Sequence, residues 1–218
     1  MPKRFDLIVF DWDGTLADST AMIADCIREA SQDVGLDVPA TTAARGVIGL
    51  GLKEAVLSLF GDLSPTKFHE LTDRYRFHYY KRDQQTPLYD GVLEALAELN
   101  RQGFMLAVAT GKGRKGLNLS LQLSGLANYF HASRCADECH SKPHPQMLQQ
   151  LMDELGVLPE RTLMIGDTTF DLQMAQNAQV ASLAVSYGAH PLEQLLVHDP
   201  LTHFDNFTKL KQWLIMNA

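Results

Sequence analysis

The sequence predicts an α/β fold, a doubly wound parallel sheet of Rossmann-like topology with an inserted helical domain. Three observations support this prediction. Short apolar runs without polar alternation recur along the chain, segments with helical spacing separate them, and one connection is much longer than the others. Uninterrupted apolar runs are typical of strands that are covered on both faces, as in a parallel sheet.

Four apolar runs are predicted to form the central strands. They lie at residues 6–11 (DLIVFD), 104–110 (FMLAVAT), 162–167 (TLMIGD) and 180–186 (VASLAVS). A fifth strand, with a weaker pattern, is expected at residues 129–134. Asp11, Thr110 and Asp167 close three of the runs. Because ligands bind outside the carboxyl ends of the strands in such sheets, these three residues are candidates for a common site.

Helical segments separate the runs. Apolar residues recur at helical spacing over residues 92–99, 147–155 and 172–178. Gly103 and Gly156 follow the first two stripes, as glycines do at many helix ends. Strands and helices that alternate with short connections indicate the doubly wound sheet.

The connection between Asp11 and Thr110 breaks this rhythm. It contains one helix of ordinary crossover type and, before it, three further apolar stripes that begin at Met22, Leu52 and Phe68. A helical insertion at this point could close over a site and exclude water. The predicted domains are an α/β core, residues 1–17 and 86–218, and an inserted helical cap, residues 18–85.

The composition is that of a soluble globular protein, with 45% hydrophobic and 21% charged residues. A formal net charge of -7 disfavours a protein that binds nucleic acid, although it does not exclude a small anionic ligand. No stretch approaches the length of a membrane span, and the first apolar run is too short for a signal peptide. Three cysteines, an odd number, favour a reducing cytoplasm. A monomer or a small homo-oligomer is expected.

The segment DWDGTL at residues 11–16 is the strongest chemical signal. It places two carboxylates, Asp11 and Asp13, where a strand gives way to a tight turn. One carboxylate can attack phosphorus while the other transfers protons, which is the division of labour that nucleophilic and acid–base catalysis require. The alternative is that Asp13 and Gly14 only form a turn, because Asp-Gly is common in turns.

A second pair of carboxylates follows the third apolar run. Asp167 lies just before a predicted helix and Asp171 lies in its first turns. Hard oxygen ligands of this kind suit Mg²⁺. Like charges about 4 Å apart repel by about 4 kcal/mol at an effective dielectric constant near 20, so a phosphate needs a cation to approach these groups. The alternative is helix capping by Asp167, with Asp171 placed favourably for the helix dipole.

Two more segments carry groups that can bind phosphate. Lys142 lies between a loop and a predicted helix, where phosphate is often bound, although it could be an ordinary solvated lysine. Thr110 and Gly111 end an apolar strand, so a hydroxyl and backbone N–H groups there could bind phosphate oxygens. The alternative for Thr110 is a helix N-cap.

In this chain order the motifs resemble those of the haloacid dehalogenase superfamily of phosphohydrolases: DxDG[TV], then Thr or Ser, then Lys, then GDxxxD. The segment at residues 89–92 and the run at 166–178 look most like phosphoglycolate phosphatases, in the subclass with a helical cap after the first motif. The resemblance implies Mg²⁺-dependent hydrolysis of a small phosphate monoester, phosphoglycolate-like or a sugar phosphate, through an aspartyl-phosphate.

The resemblance also implies a role for each matching residue. Asp11 would be the nucleophile and Asp13 the general acid and base. The implied metal ligands are Asp11, Asp13 through its backbone carbonyl, Asp167 and, in support, Asp171. The implied contacts to the phosphoryl group and substrate are those of Gly14, Thr15, Thr110, Gly111 and Lys142.

The sequence departs from these relatives at two positions. Asp90 stands where Pro is usual and Gln179 where Gly is usual, both outside the implied catalytic set. The presence of Asp13 argues against dehalogenation, because the dehalogenases lack that carboxylate. Two other functions stay open: a phosphotransferase or phosphomutase acting on sugar phosphates, and a non-catalytic phosphate-sensing protein.

Recognition of the substrate is expected from the cap. The turn at Gly49 and Gly51 could present backbone N–H groups to a carboxylate or second phosphate, with Arg45 and Lys53 close in sequence, although these glycines could also only permit a turn. The basic and aromatic stretch at residues 74–82 is expected to form a solvated helix face. A zinc site is disfavoured because the spacing of its candidate ligands fits no zinc-ribbon or zinc-finger pattern. These candidates are His131, Cys135, Cys139 and His140.

Overall fold

The structure is a computed structural model and describes residues 3–83 and 85–218. The strands are β1 (Leu7–Phe10), β2 (Met105–Thr110), β3 (Ala132–Cys135), β4 (Thr162–Gly166), β5 (Ala181–Val185) and β6 (His203–Phe204). They form one sheet in the order β3-β2-β1-β4-β5-β6, and all pairs are parallel. The predicted doubly wound α/β fold is therefore confirmed.

Helices cover both faces of the sheet. The helices are α1 (Thr20–Asp33), α2 (Thr41–Arg45), α3 (Leu52–Phe60), α4 (Pro65–Asp83), α5 (Val92–Arg101), α6 (Arg114–Ser124), α7 (Gln146–Leu155), α8 (Thr169–Asn177), α9 (Leu192–Leu196) and α10 (Phe207–Asn217). Alternate residues of β1 point to opposite faces. Ile8 and Phe10 join a core with α5 and α10, whereas Leu7 and Val9 join a core with α7 and α8. This two-sided burial explains why the strand is apolar throughout.

The strand register sets the position of the site. Phe10 lies beside Val108 on one side and Ile165 on the other. The chain therefore leaves β1, β2 and β4 at nearly the same level. Asp11 and Asp167, which each follow their strands directly, meet at one rim of the sheet.

Helices α1 to α4 lie between β1 and the crossover helix α5. Helix α1 packs along α4 and against α2. The two chain segments that join this region to the sheet pair at the neck, where the Asp18 N–H donates to the Pro87 carbonyl at 2.9 Å and Ala17 bridges to Leu88. The division into a core and a cap at residues 18–85 stays a prediction.

Across residues 3–83 and 85–218, none of the helices combines the length and the apolar character that crossing a membrane requires.

Candidate active site

Asp11 occupies the first position beyond β1 and is buried. Its backbone N–H donates to the Ile165 carbonyl at 2.9 Å, which extends the parallel ladder by one residue. The chain then turns through Gly14, whose φ is +88°. A Cβ on Gly14 would collide with the carboxylate of Asp167. Glycine is therefore required here both for the turn and for the close approach of the two segments.

Lys142 reaches the same rim from the loop between β3 and α7. Its ammonium lies 2.7 Å from Asp11 Oδ1 and 2.6 Å from Asp171 Oδ1. Burial alone would lower the pKa of Lys142, but the carboxylates of Asp11 and Asp171 outweigh it and hold that pKa above its ordinary value. The lysine is thus a permanent buried cation rather than a solvated side chain.

Asp171 has two functions at the start of α8. Its Oδ2 accepts from the Thr168 N–H and hydroxyl at 3.1 and 2.7 Å, and the Thr168 hydroxyl accepts from the Asp171 N–H, which completes a capping box. Its Oδ1 contacts Lys142. Thr168, and not Asp167, is therefore the N-cap, while Asp171 both stabilises the helix and holds the lysine.

Asp167 is free of capping and fully buried. The Thr15 hydroxyl donates to its Oδ1 at 2.9 Å and the Ala189 N–H donates to its Oδ2 at 2.7 Å. Burial, followed by the charges of Asp11 and Asp171, raises the pKa of Asp167 well above its usual range. The two donors therefore fix the Asp167 carboxyl group next to Asp11, at a position where its ionised form is disfavoured unless a cation is bound.

The arrangement fits a divalent cation. Asp11, Asp167 and Asp171 each offer an oxygen, and these oxygens lie within 4.8 Å of one another. Asp11 Oδ2 is buried and has no hydrogen-bond partner in the part of the chain that the structure describes. Burial raises the pKa of Asp11 to about 7, against the opposing charge of Lys142. Three carboxylates facing one ammonium form the hard oxygen site that Mg²⁺ prefers.

Asp13 projects into the cavity beside these groups. Its Oδ1 accepts from the Ser19 hydroxyl at 2.7 Å and from the Lys112 ammonium at 3.1 Å. Because both donors are buried, they fix the carboxyl group in one orientation. Asp13 therefore differs from Asp11 in having donors other than Lys142.

Thr110 and Gly111 lie on the other side of Asp11. Thr110 Oγ1 accepts from the Lys112 N–H at 3.1 Å, so the hydroxyl stabilises the turn after β2 in the manner of a cap. A Cβ on Gly111 would lie 2.5 Å from the Leu50 carbonyl oxygen and 2.6 Å from that of Gly49. The turn at Gly49 and Leu50 therefore rests directly on the loop after β2.

The predicted substrate-contacting residues divide into two groups. A cavity of about 600 Å³ extends from Asp11 and Asp13 toward α1, α3 and α4, and five predicted contacts line it: Thr110, Gly111, Gly49, Gly51 and Lys53. The other four, Gly14, Thr15, Arg45 and Lys142, lie outside this lining. The Thr15 hydroxyl donates to Asp167, Gly14 packs against the Asp167 carboxylate, and the Arg45 guanidinium donates to the Gly188 carbonyl at 2.7 Å. Arg45 therefore joins helix α2 to the loop that follows β5 and does not line the cavity.

The chain is similar to known proteins over most of its length. The profile of haloacid dehalogenase-like hydrolases matches residues 8–185. The chain is a member of that family. A probable phosphatase, IndB, of Dickeya dadantii is 36% identical over 213 residues, which cover 94% of this chain and 91% of the relative. A phosphoglycolate phosphatase of Vibrio vulnificus is 33% identical over 225 residues and 99% of each chain. The crystal structure of a predicted phosphoglycolate phosphatase from Haemophilus somnus superposes with a TM-score of 0.85 at 28% identity, over 97% of this chain and 99% of that one.

The haloacid dehalogenase-like site contains residues that the motifs did not reveal. Lys112 lies between Asp13 and Asp83, with its ammonium 3.3 Å from Asp83 Oδ1. Asp83 also accepts from the Tyr79 hydroxyl at 2.7 Å and the Ser120 hydroxyl at 3.0 Å. Burial, then the charge of Asp13, raises the pKa of Asp83 to about 7, although the Ser120 hydroxyl lowers it. Lys112 could have been found from the sequence, because it lies two residues after Thr110. Asp83 could not, because it ends a charged helix and no pattern distinguishes it from its neighbours.

The four candidate zinc ligands have other contacts. His131 Nδ1 accepts from the Leu106 N–H at 3.2 Å, and the His140 ring packs on His144 with centroids 4.5 Å apart. The Cys139 thiol donates to the Cys135 carbonyl at 3.5 Å. Within residues 3–83 and 85–218, the clustered metal-ligating side chains are those of Asp11, Asp167 and Asp171.

Proposed function

We propose that the protein is a Mg²⁺-dependent phosphatase that hydrolyses a phosphate monoester by transferring the phosphoryl group to Asp11. One observation carries this proposal: Asp11 Oδ1 is held by Lys142, while the buried Oδ2 has no partner among the described residues. A carboxylate that is fixed through one oxygen and keeps the other unpartnered is prepared to bind a cation and to attack phosphorus.

The comparisons support a phosphatase over a dehalogenase. The relatives from Dickeya and Vibrio are named a probable phosphatase and a phosphoglycolate phosphatase. Asp13, which dehalogenation does not need, lines the cavity beside Asp11. We place the enzyme in the cytoplasm, acting on a small phosphorylated metabolite, since its three cysteines are all free thiols.

Asp11, Asp167 and the backbone carbonyl of Asp13 would hold Mg²⁺, with Asp171 in support. The ion, when bound, neutralises the carboxylates and polarises the phosphoryl oxygens. Lys142 supplies a second positive charge to the same side of the phosphoryl group. Thr110 and Gly111, at the cavity wall, supply a hydroxyl and an N–H group for the remaining oxygens.

The chain's own groups account for both chemical steps. An Asp11 oxygen forms a bond to phosphorus while the bond to the leaving alcohol oxygen breaks, and protonated Asp13 donates its proton to that oxygen. Asp13, now a carboxylate, then takes a proton from water as the water oxygen attacks phosphorus. The Asp11–phosphorus bond breaks, inorganic phosphate leaves, and both aspartates return to their starting forms.

The test is turnover of an aryl phosphate with Mg²⁺ by the wild type and by Asp11→Asn, a nearly isosteric change. We expect the variant to fold normally and to lose at least about 10⁴-fold in kcat, because no nucleophile remains. Wild-type rates in Asp11→Asn would end the proposal. Absence of activity over phosphoglycolate, sugar phosphates, nucleotides and pyrophosphate would favour a phosphate sensor, and transfer to a hexose phosphate would indicate a phosphomutase.

A further inference from the structure

The cavity beside Asp11 is large for a small dianionic substrate. Its volume of about 600 Å³ lies within the range of roughly 300–1,000 Å³ that is typical of sites for drug-sized ligands. The phosphoryl group occupies only the end that Asp11 and Asp13 form. The remainder of the cavity must accommodate the alcohol portion of the substrate or stay empty.

Apolar side chains line that remainder. They include Ile27, Ala30, Val56, Leu59, Phe68 and Tyr75. Helix α1 lies along α4, whereas α3 approaches neither of them as closely, and the cavity runs into the space between the three helices. Apolar walls of this kind favour apolar groups of a ligand, because the contact removes apolar surface from water.

The cavity offers no unneutralised buried cation to a second acidic group. Lys112 is its one buried lysine or arginine among the described residues, and Asp13 and Asp83 already neutralise it. The other charged side chains that line this remainder of the cavity are solvent-exposed and of both signs: Lys53, Arg76, Lys115, Glu54 and Asp137. Because water screens such exposed charges, the apolar side chains decide which alcohol portion binds.

The geometry points to a substrate class: phosphate monoesters whose alcohol portion is bulky and apolar, aliphatic or aromatic, without a second acidic group. This inference rests on the proposed phosphatase function and specifies what the same site accepts. Asp11 and the groups around it hold the phosphoryl group, and the space between α1, α3 and α4 binds the alcohol portion.

A series of alkyl phosphates isolates the contribution of this apolar space. Ethyl, butyl and hexyl phosphate release alcohols of nearly equal acidity, so the chemical step is constant while the buried apolar area grows. Each buried methylene contributes about 0.8 kcal/mol, or about fourfold. We expect kcat/KM to rise by about that factor per methylene from ethyl to hexyl, and butyl phosphate to be hydrolysed faster than phosphoglycolate. Equal values along the series, or a preference for phosphoglycolate, would overturn the inference.

Two leucines on α3 provide a matched pair of variants. Leu59 lines the cavity, whereas Leu57 lies outside the lining and is 51% exposed. Leu59→Asn should lower the hexyl-to-ethyl ratio of kcat/KM by about tenfold, because a polar amide replaces an apolar contact. Leu57→Asn should leave the ratio unchanged. An unchanged ratio in Leu59→Asn, or equal falls in both variants, would contradict the assignment.

The same assay separates the two proposals. Hydrolysis of every ester in an Asp11-dependent manner, without a dependence on chain length, would reject the apolar substrate class and retain the phosphatase. Failure to release phosphate from any ester, in a protein that binds Mg²⁺ and unfolds cooperatively, would reject both. A rising series that Leu59→Asn makes less steep, by about tenfold between ethyl and hexyl, would support both.

Discussion

The two walls of the cavity are constructed differently. At the rim of the sheet, Asp11, Asp13 and Asp167 are each oriented by donors at 2.7–3.1 Å. On the wall formed by helices α1, α3 and α4, by contrast, aliphatic and aromatic side chains such as Val56 and Phe68 pack together without directional bonds. A charged cluster depends on every member, because an unpaired buried charge is costly, whereas apolar contacts tolerate exchange of volume for volume. Chemistry and substrate choice should therefore respond separately to mutation.

The largest effect should come from the rim. Asp13→Asn removes the proton donor and base, and we expect kcat for an alkyl phosphate to fall about 10²–10⁴-fold. The loss should be smaller in the phosphorylation step for an aryl phosphate, whose leaving oxygen needs less protonation. Steady-state and burst kinetics on both esters measure the difference. Asp25→Asn, an exposed change on α1, is the control, and equal losses in the two variants would remove Asp13 from the mechanism.

The next largest effect is expected at Lys112 and Asp83, which connect the sheet rim to the helical wall of the cavity. Lys112→Met should lower kcat by about tenfold to a hundredfold with KM nearly constant, because Asp13 loses one donor and faces an unpaired Asp83. Adding Asp83→Asn should recover part of the loss in kcat and in Tm, since the unpaired charge is gone. A double variant no better than Lys112→Met would show that the pair does not orient Asp13.

Mg²⁺ should stabilise the rim in a pH-dependent way. The pKa of Asp11, raised by burial from 3.8 to about 7, means that the metal-free protein loses stability as pH rises from 3.8 to about 7, because the unfolded chain ionises there while the folded protein keeps its proton; above 7 the loss is complete. The ion replaces the proton. A Mg²⁺ concentration of 100 times the Kd at pH 8 should raise the free energy of unfolding by about 2.7 kcal/mol at pH 8, and the same concentration should raise it by much less at pH 5. Thermal unfolding with Mg²⁺ or with NaCl of equal ionic strength checks this, and equal shifts at the two pH values would contradict it.

The smallest effect is expected at Gln179, which lies outside both walls of the cavity. Gln179 follows α8 with a φ of +58°, a left-handed conformation that favours glycine. Gln179→Gly should stabilise by about 1 kcal/mol without changing activity. Gln149→Gly, in the exposed interior of α7, should instead destabilise by about the same amount. Urea unfolding measures both, and destabilisation by Gln179→Gly would refute the strain.

The sequence predicted the central strands well because their apolar runs are long and unbroken. It missed β6 and helices α2, α6, α9 and α10: a two-residue strand carries no pattern, and α2 and α9 are only five residues long. Gln179 was recognised as a departure from glycine, and its positive φ supplies the physical reason.

The sequence predicted the positions of candidate site residues best where these residues directly follow strands. Asp11 and Asp167 were placed by strand ends alone. The contacts that orient them depend on distant segments: Ala189 donates to Asp167 from a loop after β5, and Asp83 reaches Lys112 from the end of α4. Such contacts depend on the packing of separate elements, so periodicity and motif spacing do not encode them. The same holds for Arg45, whose partner is the backbone carbonyl of Gly188.

The central claim is that phosphate passes through Asp11. Rapid acid quench of the enzyme during turnover of an aryl phosphate, followed by proteolysis and mass spectrometry, tests it directly. We expect a phosphoryl group on the peptide that contains Asp11. Its occupancy should be higher in Asp13→Asn, where hydrolysis of the intermediate lacks its base, and it should be absent in Asp11→Asn. A phosphoryl group on another residue, or none in Asp13→Asn while phosphate release continues, would contradict the account.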